Sequence, residues 1–425
     1  MKKTTIAVSL VAALLLNTAQ AITLPETDCA KSGGDARCKV SGSDSIGQGL
    51  PFNLGGFVSF GSGFVDVAEN AVYVPVEFGG QQDNRGVIFK VDLKTGNRSV
   101  VSGYDGEEWH GKAPQYVSGR GEKFSPYDLG RVEVVRPGPG GSLLALVDKG
   151  LQERTEIIRI DRKSGDRSVV WASRVYADSA NEGPSSVRTN EAKLGINGTS
   201  DGLCRASDDR IGLKPSEVLE TDGKYIYLFM QGAPSGTGTG LVRVPVTGGK
   251  CEWVSRYYQD GTSDIGSGAT VNTLSPAVFD SAFANGKFYG VTGPVPSGNV
   301  LFSIDTRTGE RQTISIRNEV TPARSKGTGD VAVGRTGRMA LTGDSKQAVT
   351  LFPTLNDTYF EPVVVDIQSG ERFVSEASAG SLSSGRDSNG RIVAGLPGTD
   401  QFVVAFNGAL HIWDGATGNS YVLSR

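Results

Sequence analysis

The sequence predicts an all-β fold, a β-propeller of six blades with four antiparallel strands each. Three observations predict it. Six segments along the chain repeat one hairpin pattern. Glycine makes up 58 of 425 residues, about twice the usual ~7%, as a turn-rich chain requires. Short alternating apolar runs, rather than long helical stripes, lie between the turns.

The first element is an address. Lys2 and Lys3 precede an apolar run, Ile6 to Leu16, too short to span a bilayer. Ala19-Gln20-Ala21 is a cleavage site of the A-x-A kind, so residues 1–21 read as a bacterial export signal. No later stretch approaches a membrane-spanning length, which predicts a periplasmic or secreted chain without membrane insertion. The formal net charge of −3 gives no sign of a nucleic-acid partner.

Residues 22–56 form an N-terminal segment with two of the four cysteines, Cys29 and Cys38; the others are Cys204 and Cys251. An oxidising compartment favours disulfides. Of the three pairings that four cysteines allow, Cys29–Cys38 would close a short loop, and Cys204–Cys251 would staple a long loop to a strand. Zinc is the rival, without a C-x-x-C spacing to support it.

The repeat runs from 57 to 425. Its hairpins read FKVDLKTGNRSVVS (Phe89–Ser102), IRIDRKSGDRSVVWAS (Ile158–Ser173), VRVPVTGGKCEWVS (Val242–Ser255), FSIDTRTGERQTIS (Phe302–Ser315), VVVDIQSGERFVS (Val363–Ser375) and HIWDGATGNSYVLS (His411–Ser424). A D-x-x-[TS]-G turn has a physical reason. Asp and Thr or Ser side chains bond turn N–H groups, and Gly takes a left-handed conformation without steric cost.

Two more strands precede each hairpin. In the fourth unit they are Ala277–Ala284 and Lys287–Val291 about Asn285-Gly286, a strong hairpin signal. The matching inner strands are Phe64–Ala68, Val132–Arg136, Glu217–Thr221, Asp330–Val333 and Ile392–Leu396. A four-stranded sheet cannot bury both faces alone, whereas stacking sheets radially does. Cys38–Ser41 and then Ser43–Gly49 parallel Trp253–Ser255 and Thr262–Gly268, so the N-terminal stretch reads as an outer strand that joins the last blade and closes the ring, a fifth strand, or the trace of a seventh blade.

These strand pairs resemble the six-bladed propellers grouped as NHL-repeat, TolB-like and gluconolactonase-like proteins, over residues 57 to 425. The resemblance implies the fold and leaves the activity open, because this superfold carries many functions. In gluconolactonase-like enzymes an oxygen-ligated metal sits at the channel mouth. On that resemblance Glu217, Asp280 and Asp330 are the nearest candidate ligands for a divalent cation such as calcium, zinc or manganese. Aligning inner strands by their turns brings these three carboxylates to one level near the axis, with Asp66 and Asp128 close to it. Alternatively they bond backbone N–H groups.

Long connections, Gly103–Ser125, Arg174–Lys214, Arg256–Leu274, Arg317–Thr328 and Glu376–Gly390, are expected on one face, with a further loop at Asp344–Glu361. The first carries Trp109 and His110, which are candidate ligand contacts. His411 lies in a third strand and reads as structural. No G-x-S-x-G, HExxH or P-loop pattern occurs. Two functions follow as expectations. The first is a monomeric recognition module for a protein, peptide or glycan. The second is a metal-dependent hydrolase or lactonase using the acid cluster.

Overall fold

The computed structural model describes residues 47–424 apart from connecting stretches, the longest being 104–115, 173–213, 269–277, 317–325, 330–338 and 375–390. It is an all-β propeller of six sheets. Blade 1 holds β1 (Phe57–Phe60), β2 (Phe64–Asp66), β3 (Ala71–Gly79), β4 (Arg85–Asp92) and β5 (Arg98–Ser102). Blade 2 holds β6 (Arg131–Pro137), β7 (Leu143–Asp148), β8 (Thr155–Ile160) and β9 (Arg167–Ala172). Blade 3 holds β10 (Lys214–Pro215), β11 (Glu220–Thr221), β12 (Tyr225–Gln231), β13 (Thr239–Pro245), β14 (Glu252–Tyr257) and β15 (Ser263–Ile265). Blade 4 holds β16 (Val278–Ala284), β17 (Lys287–Thr292), β18 (Val300–Asp305) and β19 (Arg311–Ile316). Blade 5 holds β20 (Met339–Leu341), β21 (Gln347–Pro353), β22 (Phe360–Asp366) and β23 (Arg372–Val374). Blade 6 holds β24 (Arg391–Gly395), β25 (Gln401–Phe406), β26 (Ala409–Asp414) and β27 (Ser420–Ser424).

Every blade is an antiparallel meander from an inner to an outer strand. In blades 1 and 3 the inner strand is split in two, β1 with β2 and β10 with β11. The expected hairpin turns form as their chemistry dictates. Asp92 Oδ1 accepts the N–H of Lys94 and Thr95, and Asp161, Asp305 and Asp366 repeat the arrangement. The turn glycines Gly96, Gly165, Gly309 and Gly370 all have φ between +70° and +77°.

Two expectations need correction. Met339–Leu341, read as the second strand of the fifth unit, is the first described strand of blade 5 and pairs with Gln347–Pro353 inside the stretch read as a loop at Asp344–Glu361, while Asp330–Val333 lies outside the described residues. Thr342 to Lys346 makes the turn between the two strands, with Asp344 capping it. The ring also closes without a seventh blade. Blade 6 has all four strands from the C-terminal end of the chain, and Cys38–Ser41 lies outside the described residues.

The core is six interblade layers, one at each seam. Blades 1 and 2 meet through Tyr73, Ile88, Val135 and Ile158, and blades 2 and 3 through Leu144, Ile157, Leu228 and Val242. Blades 3 and 4 meet through Phe229, Leu241, Phe288 and Phe302, and blades 4 and 5 through Val291, Leu301, Val363 and Val365. Ala340, Val364, Val404 and Trp413 fill the seam of blades 5 and 6. Phe89, Val91, Val403 and Ile412, with Phe52 from the N-terminal stretch, close the ring between blades 6 and 1.

At four seams a polar clamp repeats. The buried residue two positions after the turn glycine is Arg98, Arg167, Arg311 or Arg372. Its N–H donates to the middle carbonyl of a G-x-G segment arriving from the preceding connection, at Gln48, Arg120, Ser267 or Thr328. Its guanidinium donates to a buried serine at the end of the preceding blade's outer strand: Ser424, Ser102, Ser255 or Ser315. Glycine is required here. A Cβ on Gly309 would fall 2.2 Å from the Val254 carbonyl oxygen.

Candidate functional site at the propeller axis

Four antiparallel strands return the chain to the end where the inner strand began. All blade-to-blade connections therefore share one face, and the D-x-x-[TS]-G turns share the other. Between the faces, the inner strands bring a charged network to the axis.

Its centre is Arg136, at the end of β6. All five of its N–H donors have acceptors. Nε donates to Glu220 Oε2 at 3.1 Å and Nη2 to Oε1 at 2.8 Å, a two-pronged ion pair between blades 2 and 3. Nη1 donates to the Gly63 and Val135 carbonyls, and Nη2 also to the Ser62 hydroxyl, which ties in blade 1. Gly63 N–H in turn donates to the Val393 carbonyl of blade 6.

The network continues round the ring. Ser281 of blade 4 donates its hydroxyl to Glu220 Oε1 at 2.8 Å. Asp280 beside it is 2% exposed. Its Oδ1 accepts Ser281 N–H at 2.9 Å, and its Oδ2 accepts Met339 N–H of blade 5 at 3.1 Å. One cation and two carboxylates thus join the inner strands of blades 1 to 5, and the Gly63 N–H adds blade 6.

Burial pushes the Glu220 carboxyl up. The guanidinium and the Ser281 hydroxyl oppose that rise, and the neighbouring Asp280 charge adds to it. Burial also works against the charge on Arg136, but Glu220 and Asp280 more than offset it, so its pKa is raised. The arrangement can hold charge and transmit strain between blades, and it places a carboxyl with raised proton affinity within reach of a hydroxyl.

Of the expected metal ligands, Asp280 is at the axis and is engaged as the alternative reading expected, by backbone N–H groups. Glu217 and Asp330 lie outside the described residues, as do Asp128, Trp109 and His110. Among the described residues no three His, Cys, Asp or Glu side chains gather to hold an ion. Asp66 belongs to the turn face, where its carboxylate meets Arg162 of blade 2 at 2.5 Å. Arg162 lies over the Phe64 and Tyr73 rings and also bonds Glu69. Burial alone would raise the Glu69 carboxyl, but Lys90, Tyr73 and Arg162 hold it down at about 2. His411 sits half-buried in the third strand of blade 6. Cys251 is disulfide-bonded, and Cys29, Cys38 and Cys204 lie outside the described residues.

Sequence reasoning missed Arg136, Glu220 and Ser281. It aligned acids and did not look for their counter-ion. The available signal was an arginine in an otherwise apolar inner strand, VEVVRP, where a solvent-facing residue has no place.

No protein-family model matches the chain, and no curated protein matches it at a significant level. Solved structures do match. The periplasmic gluconolactonase of Pseudomonas aeruginosa has 15% identity over 85% of this chain and 84% of its own, with a TM-score of 0.44. The β-propeller domain of the trilobed protease from Pyrococcus furiosus, described as having an open velcro topology, has 11% identity over 87% and 98%, with a TM-score of 0.38. A prolyl endopeptidase has 12% identity over 86% of this chain, with a TM-score of 0.42. The chain spans about half that enzyme's length, 49%. All three scores lie below 0.5, so the fold rests on the six sheets themselves, and the activities of these proteins do not transfer by likeness. Among the described residues no helix is long and apolar enough to cross a membrane.

Proposed function

We propose that the chain is an exported, monomeric recognition propeller that binds a protein, peptide or glycan through the connections on one face. The observation that supports this is the inward use of the axial charges. Four of the five Arg136 donors, both Glu220 oxygens and Asp280 Oδ2 bond neighbouring blades, and the remaining Arg136 donor and Asp280 Oδ1 bond backbone groups of their own blades. A ring braced in this way is a rigid platform, and binding residues are commonly carried on loops that such a scaffold positions. Trp109 and His110 are the proposed ligand contacts on the first connection. The test is a screen of the mature protein on peptide and glycan arrays, repeated with Trp109→Ala and His110→Ala. A bound class that weakens tenfold or more in either variant supports the reading. Binding that is indifferent to both assigns the contacts elsewhere, and silence on every array sinks recognition.

A second reading, a metal-dependent hydrolase of the gluconolactonase-like kind, is favoured by Glu220, a buried carboxyl with raised proton affinity beside a hydroxyl. It requires Glu217, Asp280 and Asp330 to hold one cation, with water activated on it. Elemental analysis of protein purified without chelator tests this. One equivalent of calcium, zinc or manganese, lost in a folded Asp280→Ala variant, would move the assignment to hydrolysis.

A further inference from the structure

The inner strand of blade 1 is broken at Phe60-Gly61-Ser62-Gly63-Phe64. Phe60 pairs with Val76 and Phe64 with Tyr73, so three residues stand opposite two, Val74 and Pro75. An extra residue of this kind bends a strand out of its own sheet. Ser62 turns instead to the next blade and forms a parallel bridge with Val134 of blade 2. Its N–H donates to the Glu133 carbonyl, and its carbonyl accepts the Val135 N–H, both at 2.8 Å. On the other side Gly63 N–H donates to the Val393 carbonyl of blade 6 at 2.9 Å. Both flanking positions need glycine. A Cβ on Gly61 would fall 2.5 Å from the Glu133 carbonyl oxygen, and one on Gly63 would fall 2.1 Å from the Tyr73 carbonyl oxygen.

Side chains at the same level meet across the axis. A propeller's central channel runs inside its inner strands. Arg136 Nη2 lies 3.1 Å from the Ser62 hydroxyl of blade 1 and 2.8 Å from Glu220 Oε1 of blade 3. Blades 1 and 3 are not neighbours. Their side chains share one nitrogen only by reaching past the inner edge of blade 2 into the channel. The same Glu220 oxygen accepts the Ser281 hydroxyl of blade 4, which stands opposite blade 1 in a ring of six. Ser62, Arg136, Glu220, Asp280 and Ser281 are 2 to 8% exposed. A bore wide enough for water at this level would wet their polar atoms. Protein groups satisfy them instead, as buried charge requires.

We propose that these groups form a septum that closes the axial channel and separates the two mouths of the propeller. The Ser62 backbone bridge is one part of it, and the Arg136–Glu220 ion pair with the Ser62 and Ser281 hydroxyls is the other. Neither a polypeptide nor a column of water passes from the connection face to the turn face. A ligand is therefore held at one mouth and does not thread the ring. The proposal goes beyond the recognition reading and stands whether or not a ligand is found.

Alkylation of an introduced thiol tests the closure and needs no ligand. Ser62→Cys and, separately, Ser281→Cys place a thiol in the septum, and Ser99→Cys places one on the exposed side of an outer strand. Each full-length variant is treated with iodoacetamide, and the modified peptide is quantified by mass spectrometry against the wild type. The septum predicts native alkylation at Ser62→Cys and Ser281→Cys roughly a hundredfold or more slower than at Ser99→Cys, with similar rates for all three in urea. In folded protein that also carries Glu220→Ala, the rate at Ser62→Cys should rise about tenfold or more. Native alkylation in the septum as fast as at Ser99→Cys overturns the proposal, and a rate unmoved by Glu220→Ala overturns the part given to the ion pair. If neither septum variant folds, amide exchange in the wild-type protein decides. Ser62 and Val135 N–H groups protected as strongly as the blade cores support a closed axis, and exchange at the rate of exposed turns overturns it.

Discussion

Arg98 donates from Nη1 to the Ser424 hydroxyl at 2.7 Å, across 326 positions of sequence. That contact closes the ring. The Ser424 hydroxyl donates in turn to the Gly96 carbonyl at 2.7 Å, and Arg98 Nε donates to the Leu50 carbonyl at 2.7 Å. Among the described residues the first and last blades are joined as consecutive blades are.

Arg98→Ala should therefore cost about 2 kcal/mol or more, because buried carbonyls and a hydroxyl lose a charged donor. Ser424→Ala should cost roughly 1 kcal/mol. Urea unfolding followed by tryptophan fluorescence reads both. Unchanged midpoints would mean that the apolar layer alone closes the ring.

Gly309→Ala tests the tight approach at the seam of blades 3 and 4. Its φ of +73° and the carbonyl 2.2 Å from an added Cβ leave no relaxed position. A loss on the order of 1–3 kcal/mol is expected. Gly286→Ala is the control: its φ is +71°, with nothing within 4 Å of the Cβ, so it carries the backbone penalty without the collision. Equal losses in the two variants would assign the whole effect to backbone strain.

At the axis, Glu220→Ala leaves Arg136 buried without its partner and should cost about 3–5 kcal/mol. Glu220→Gln keeps an acceptor and should cost less. Arg136→Met should be milder in the Glu220→Ala background than in the wild type, by roughly 1–3 kcal/mol. Additive losses in this cycle would show that the two side chains brace their blades independently.

Acid should loosen the turn face first. Backbone N–H bonds hold the carboxyls of Asp161, Asp305 and Asp366 below the usual aspartate range. Folded values below unfolded ones mean a contribution present above pH ~4, near the unfolded aspartate pKa, and lost as pH falls through the folded values. Glu69, held at about 2, acts in the same direction. Urea midpoints should be flat from neutrality to pH ~5 and fall below pH ~4. A midpoint that rises on acidification would contradict this.

The seam of blades 5 and 6 lacks the arginine of the clamp register. Ser420 stands in the clamp register, and Gly343 N–H reaches the Thr399 carbonyl at 3.3 Å. Hydrogen exchange should be faster at Gly343 than at Arg98, Arg311 or Arg372, whose seam bonds measure 2.7 to 2.9 Å. Slower exchange at Gly343 would place the weakest seam elsewhere.

By itself the sequence determined what is local. Asp92, Thr95 and Gly96 specify their hairpin within five residues, and five copies of that signal with one variant at Pro245–Gly249, each with two strands before it, specify the sheets and the ring. It read Gln347–Pro353 as part of a loop and Met339–Leu341, a strand of only three residues, as the second strand of blade 5 rather than the partner of Gln347–Pro353. Tertiary structure alone decided the partners of charge. Arg98 looks from its neighbours like an ordinary strand arginine and Asp280 like a free carboxylate, and the residues around Arg136 mark it as unusual without naming its partner. Their acceptors and donors, Ser424, Glu220 and the Met339 N–H, lie 59 to 326 positions away. A hydrogen bond is satisfied by whatever the fold brings within about 3 Å, and no local pattern encodes which distant group that is.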